Sequence, residues 1–208
     1  MNALPVWSVP REWSDQTAFI IAGGPSVALE NVEALRGRNV IVVNSSYEVA
    51  PWAPFLIFGD APWFHLHFPK LKGFSGRIVT TSISVRPAPG RSVLILKKKY
   101  PPPGLSANPS ELVMQKTTLH GAINMAVHLG VKRIVLLGAD MGPSPDGKTH
   151  HHSAHPRAPK PGCYDEHMEQ LKLTVDPLQA LGIEVVNTSM SSRLPFWKKV
   201  PLTEVLAS

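Results

Sequence analysis

The sequence predicts an α/β fold with a mostly parallel sheet, helices on both faces and a long His- and Pro-rich loop. Three observations carry this. Short apolar runs recur along the chain and alternate with segments of helical or turn-like composition. Within most runs the apolar residues are consecutive rather than alternating, the pattern of strands covered on both faces. Most runs also end in a cluster of Gly, Asn, Ser, Thr or Asp.

Residues 1–16 carry Pro5, Trp7, Pro10 and Trp13 without periodicity and read as an arm over a single domain at 17–208. The first strand is expected at residues 17–21, stopped by Gly23-Gly24-Pro25. A helix is expected over 26–36, from Val27, Val32 and Leu35, closed by Gly37. Further strands are expected at 39–43, 55–58, 77–80 and 92–96. The clearest helix covers about 117–129, where Leu119, Ala122, Ile123, Ala126 and Val127 share one stripe and Gly130 stops it. A strand at 133–137 follows. Residues 165–181 read as a helix kinked or divided at Pro177. A last strand is expected at 183–186 and a packed tail from Leu194 to Leu206. Two irregular stretches remain: a proline-rich loop at 97–109, and the long loop at 141–163, of a length typical of lids and binding loops.

At 208 residues and 43% hydrophobic, the chain can bury a core without disulfides or structural metal. The single cysteine, Cys163, excludes an internal disulfide and fits a reducing compartment. No apolar run has the length of a membrane span, and the N-terminus lacks a basic flank followed by an apolar stretch. These features predict a cytoplasmic protein, in the host cytoplasm if phage-encoded. The net charge of +6 favours polyanionic partners, either a small phosphorylated ligand or nucleic acid, over a plain solvated basic surface only when a site supports it.

In a parallel sheet, ligands bind beyond the carboxyl ends of the strands. Those ends here read Gly23-Gly24-Pro25-Ser26, Asn44-Ser45-Ser46, Gly59-Asp60, Thr80-Thr81-Ser82, Gly138-Ala139-Asp140 and Asn187-Thr188-Ser189. Six polar tips on one edge predict a site there. At Gly23-Gly24-Pro25-Ser26 the glycines admit a close ligand, Pro25 suits a first helical position, and the helix start behind them would favour a phosphate. The third glycine of the dinucleotide fingerprint is missing. Residues 142–149 match the phosphate-loop pattern G-x-x-x-x-G-K-[ST] letter for letter, but Pro143 and Pro145 remove amide donors and no helix is expected after Lys148. His150, His151, His152 and His155 offer a base, acid or metal ligand, with Asp140 placed to orient an imidazole or hold a divalent ion. His120, Asn124 and His128 form a polar stripe on the long helix, read as a solvated or packed face, with His120 its best functional candidate. A single-strand nucleic-acid reading would use Lys97, Lys98, Lys99 and Tyr100 with Trp52, Trp63 and Phe64 as stacking groups.

Taken in order, these motifs resemble the 6-hydroxymethylpterin pyrophosphokinase-like family, which includes many phage proteins, and are similar to the bacterial sialyltransferases that use a CMP-sugar donor. The likeness runs over about residues 17–206 and includes the closing segments 187–194 and 200–206. It implies a Rossmann-like fold and a nucleotide or nucleotide-sugar donor. It implies nucleotide contacts at Gly23, Gly24, Pro25 and Ser26, a base or ribose contact at Asn44, and Asp60 and Asp140 facing the same cleft. Thr118 stands where relatives often carry a Ser before a Gly. A loop histidine, His151 or His155, would be the general base, with Asp140 beside it in the catalytic set. Two reactions follow: glycosyl transfer from a nucleotide-sugar, or pyrophosphate transfer from ATP, which needs Mg²⁺. The alternative is a non-catalytic nucleotide- or nucleic-acid-binding phage accessory protein.

Overall fold

The computed structural model describes residues 5–85, 92–100, 104–152 and 159–207. Eight strands form one wholly parallel sheet. In chain order they are β1 (Thr17–Ile21), β2 (Asn39–Val43), β3 (Phe55–Phe58), β4 (Arg77–Thr80), β5 (Val93–Ile95), β8 (Arg133–Leu137), β9 (Glu184–Asn187) and β10 (Lys198–Lys199). A small second sheet pairs β6 (Lys97–Lys98) with β7 (Glu111–Leu112). The order across the large sheet is β10-β9-β8-β1-β2-β3-β4-β5. The chain builds outward from β1 to β5, then crosses back and builds the other way from β8. The sheet is therefore doubly wound and Rossmann-like, with its switch point between β1 and β8.

The consecutive apolar runs are explained by burial on both faces. Ala18, Ile20, Ile41, Phe55, Ile57 and Ile134 point to one face, where they meet Leu119, Ala122, Ile123 and Ala126 of helix α2 (Thr118–Leu129). Phe19, Ile21, Val40, Leu56, Phe58 and Val135 point to the other, packed under Val27, Leu35, Tyr47, Phe64, Leu202 and Val205. Phe64 belongs to α1 (Ala61–His67), and Leu202 and Val205 to α5 (Leu202–Ala207). The arm crosses the first face: Trp13 packs edge-on against Phe55 at 5.3 Å, and Val6 adds a parallel bridge to Ile95 of edge strand β5.

Three local expectations change. The helix expected over 26–36 is two short 3-10 turns, Pro25–Leu29 and Val32–Leu35, separated by extended Glu30. Residues 165–181 divide into α3 (Cys163–Lys172) and α4 (Val175–Ala180), but the break falls at Leu173–Thr174. Pro177 lies in the first turn of α4, where a missing N–H costs little. The break is held by buried Thr174, whose hydroxyl donates to Leu171 O at 2.7 Å. The described part of the proline-rich stretch carries β6. Of the two expectations for the stripe His120, Asn124 and His128, solvated or packed, the structure shows the packed one: all three are buried. Asn124 accepts from Ser106 N and Val113 N and donates to Ser106 O, while His120 and His128 bond Gly104 O and Glu111 O. These three side chains pin the segment that leads back into α2.

Among the described residues no helix is long and apolar enough to cross a membrane.

Candidate functional site

Because all eight strands run in one direction, their polar tips share an edge, and a cavity of about 700 Å³ opens there beside the switch point. Its floor is Ala22, Gly23 and Gly24 after β1, Val43, Asn44 and Ser45 after β2, and Gly138 and Asp140 after β8. Asp60, Trp63 and Leu66 from the start of α1 form one wall. Lys116, Thr117 and Thr118 at the start of α2 form the next, and Tyr164 and His167 of α3 a third. Met141, Gly142, Thr149, His150 and His152 of the long loop close the top.

Asp140 organises the floor. Its Oδ2 accepts from Ser26 N at 3.1 Å and Ser26 Oγ at 3.0 Å. Since that proton of Ser26 is used, Ser189 is the donor in the 2.7 Å contact between the two hydroxyls. One buried carboxylate thus ties together the ends of β1, β8 and β9. Burial raises its pKa, against the opposing pull of Ser26 and Ser189. Its other oxygen, Oδ1, is buried with no hydrogen-bond partner among the described residues. Gly24 is required by the close approach: a Cβ there would lie 2.0 Å from Asp140 Oδ2 and 2.4 Å from Gly138 O.

This network engages the donors at the expected phosphate position. The helix start at Pro25–Leu29 is a five-residue 3-10 turn whose Ser26 N–H and hydroxyl already serve the protein's own carboxylate. An anion there would face Asp140. Ser26 and Pro25 lie outside the cavity lining, Ser26 holding Asp140 from behind. The twelve-residue α2 offers an alternative N-terminus on the cavity wall. Thr117 caps it, its hydroxyl accepting from Leu119 N at 3.3 Å. Lys116 adds a positive charge beside it, paired with Glu166 at 3.0 Å on the exposed side. The Thr118 hydroxyl lies 3.1 Å from where a Cβ of Gly59 would be, so the β3 tip and the start of α2 touch.

Asn44 lines the cavity with φ near 50°, a left-handed conformation that Asn adopts more readily than most residues. Its Oδ1 is buried without a partner among the described residues. Asp60 also lines the cavity, with Oδ1 capping α1 by accepting from Trp63 N at 2.8 Å. The Tyr164 hydroxyl is buried without a partner among the described residues, and burial raises its pKa, with smaller pushes from Cys163 and Asp140.

The histidines divide. His150 and His152 reach the cavity. His151 does not line it: its N–H donates to Gly23 O at 3.2 Å and its ring meets Ser46 Oγ at 3.0 Å. Ser46 gives its own proton to Ala22 O, so His151 Nε2 is the donor. Burial, then the neighbouring His150, lowers its pKa to about 4. His151 therefore fastens the long loop onto the tips of β1 and β2. His155 lies outside the described residues. The phosphate-loop match at 142–149 forms a tight turn, with Ser144 N bonded to Lys148 O at 2.8 Å and Lys148 Nζ exposed and paired with Asp146 at 2.8 Å. It builds no phosphate cradle.

Sequence reasoning brought Gly23, Gly24, Asn44, Asp60, Thr118 and Asp140 to the cavity by number. It missed Lys116, Thr117, Tyr164 and His167. His167 bonds the backbone of Lys116, and burial lowers its pKa. Only the nearness of Lys116 and Thr117 to Thr118 signalled them. Trp52, Trp63 and Phe64 do not make a stacking platform: Phe64 is fully buried, and the indole N–H groups of Trp52 and Trp63 are bonded to Glu33 and Ser45. Among the described residues no group of three or more His, Cys, Asp or Glu is arranged to hold a metal ion. No family model matches the chain, and neither a curated protein nor a solved structure matches it.

Proposed function

We propose that the chain is a nucleotide-dependent transferase, as its resemblance to the 6-hydroxymethylpterin pyrophosphokinase-like proteins and CMP-sugar-dependent sialyltransferases implies. One observation carries the reading. The cavity at the switch point joins an anion-favouring helix start beside a lysine to a buried carboxylate with an unpartnered oxygen. Its volume lies within the usual range of small-molecule sites. In this reading Lys116, Thr117 and Thr118 hold the phosphates. Asp140 and Asn44 accept from hydroxyl or amino groups of the sugar or base. His150, His152 or His167, all lining the cavity, takes the proton of the acceptor.

Glycosyl transfer asks only that the departing nucleotide anion be stabilised, which the start of α2 would do. Pyrophosphate transfer needs Mg²⁺. Asp60 and Asp140 are the residues that would hold it, and the substrate phosphates would complete its shell. The ion would neutralise charge on the transferring group.

The test is a thermal-shift screen of the whole chain against nucleoside mono-, di- and triphosphates and nucleotide-sugars. A ligand at a hundred times its Kd adds about 2.7 kcal/mol of apparent stability. Lys116→Ala should cut the affinity of any hit roughly tenfold, as expected for loss of one charge-assisted contact. A hit insensitive to Lys116 would refute the assigned phosphate position, and absence of any hit would refute the function. EDTA during turnover then separates the two reactions.

A further inference from the structure

We propose that Ser45 is a nucleophile of this cavity, activated from behind by His67, and that it accepts phosphoryl groups. The inference goes beyond the nucleotide reading and does not depend on it.

The backbone comes first. Strand β2 ends at Val43, Asn44 follows in the left-handed region, and the chain turns at once into the 3-10 segment Asn44–Glu48. A sharp, strained turn from a strand into a helix sets the residue at its tip on the carboxyl edge of a sheet, and here that residue is a serine only 2% exposed, at the cavity floor. Here the strained residue immediately precedes the serine. Ser45 lines the cavity.

The side chains then form a directed chain of hydrogen bonds. Ser45 Oγ accepts from Trp63 Nε1 at 3.1 Å, and its own proton points to His67 Nε2 at 3.5 Å. That distance is the outer limit of a hydrogen bond, and such contacts commonly tighten when ligand binds. His67 Nδ1 lies 3.0 Å from the Tyr47 hydroxyl, which donates to Glu48 Oε1 at 3.4 Å. In the proposed arrangement Tyr47 gives its one proton to Glu48, Nδ1 carries a hydrogen and the lone pair of Nε2 faces Ser45. Nucleophile, base and orienting group thus stand in the order that hydroxyl activation requires. The imidazole is 2% exposed and held flat against Trp63, with ring centres 4.6 Å apart and planes 16° apart.

The charges around His67 are Glu48, 4.0 Å from Nδ1, and Asp60, both favouring the imidazolium, with Lys70 opposing it. Burial outweighs them and lowers the pKa, so the ring is a neutral base at pH 7. When Ser45 attacks a phosphorus atom, an O–P bond forms and the bond from phosphorus to the leaving group breaks, the electron pair going with the leaving group. The Ser45 proton passes to His67 Nε2, and Tyr47 and Glu48 stabilise the charge that results. Lys116 and the start of α2 line the same cavity and suit an anionic phosphoryl substrate.

The test is labelling of the whole chain with diisopropyl fluorophosphate, read by peptide mass mapping. Attack by Ser45 breaks the P–F bond, releases fluoride and leaves one diisopropylphosphoryl group on Ser45. The expected rate is constant from neutral pH upward and falls in acid as His67 protonates. Ser45→Ala should abolish the label. His67→Gln, which keeps an amide toward Tyr47, should slow it about 100-fold or more, the usual contribution of a general base. Tyr47→Phe removes only the orienting hydroxyl and should slow it less, giving a second reading if His67→Gln fails to fold. Labelling of Ser45 no faster than in urea-unfolded chain, or as fast in folded His67→Gln as in the unaltered protein, would overturn the proposal.

Discussion

Replacing Gly24 by Ala tests whether Asp140 organises the strand tips. Gly24 has φ −67° and ψ 157°, an extended backbone that any residue adopts, so only space can make alanine costly. The added Cβ would meet Asp140 Oδ2 at 2.0 Å and Gly138 O at 2.4 Å. Neither atom can yield freely. Oδ2 holds two hydrogen bonds from Ser26, and Gly138 O accepts from Gly24 N at 3.0 Å. Overpacking of this kind costs about 1–3 kcal/mol. Losing one hydrogen bond to the carboxylate adds about 1.5–3 kcal/mol. A total of about 2.5–6 kcal/mol lowers Tm by roughly 5–24 °C in a domain of this size. Gly73→Ala is the matched comparison, since nothing lies within 4 Å of its added Cβ. It should be neutral or stabilise by up to about 1 kcal/mol through the unfolded chain. Calorimetry or urea unfolding of both variants decides the matter. If Gly24→Ala is as stable as Gly73→Ala, Asp140 does not bind the tips together as described.

Two further outcomes follow from buried polar groups. Asn124→Ala strips Ser106 N and Val113 N of their acceptor and should cost about 2–6 kcal/mol in urea unfolding, whereas Asn124→Asp, which keeps the acceptor, should cost less. Equal losses would show that the acceptor is not what matters. His151 titrates near 4 when folded and near 6.5 when unfolded, so between those values the folded chain binds fewer protons. Its contribution is intact above about pH 6.5 and is lost as pH falls toward 4, by on the order of 3 kcal/mol. His151→Gln keeps an N–H for Ser46 but cannot titrate. Its stability should fall less between pH 6.5 and 4 than that of the unaltered protein, and parallel curves would rule His151 out as a source of acid sensitivity.

The strands were legible because burial on both faces leaves a signature in the sequence itself. Each central run has consecutive apolar residues, with polar residues only at the strand ends, and β1, β2, β3, β4 and β8 occur at the expected residues. Strands β6, β7 and β10 were not legible. Each has two residues, and Lys97-Lys98 and Lys198-Lys199 are exposed pairs without an apolar pattern. The stripe His120, Asn124 and His128 could be read as solvated or packed, because polarity alone does not reveal a partner. Its acceptors and donors are backbone groups of residues 104–113, brought there by the fold.

The sequence by itself determined that polar tips would crowd one edge, since consecutive apolar strands joined by crossovers must run parallel. What each tip does was decided only in three dimensions. Ser26 and Asp140 are 114 positions apart, and no local pattern says that one would occupy the other's hydrogen bonds and turn away the anion expected there. The same holds for His151, which the loop's composition offered as a base and the tertiary fold fixed to Ser46. A side chain's chemistry follows from its own atoms, but whether its lone pairs and protons remain available depends on neighbours that only folding supplies.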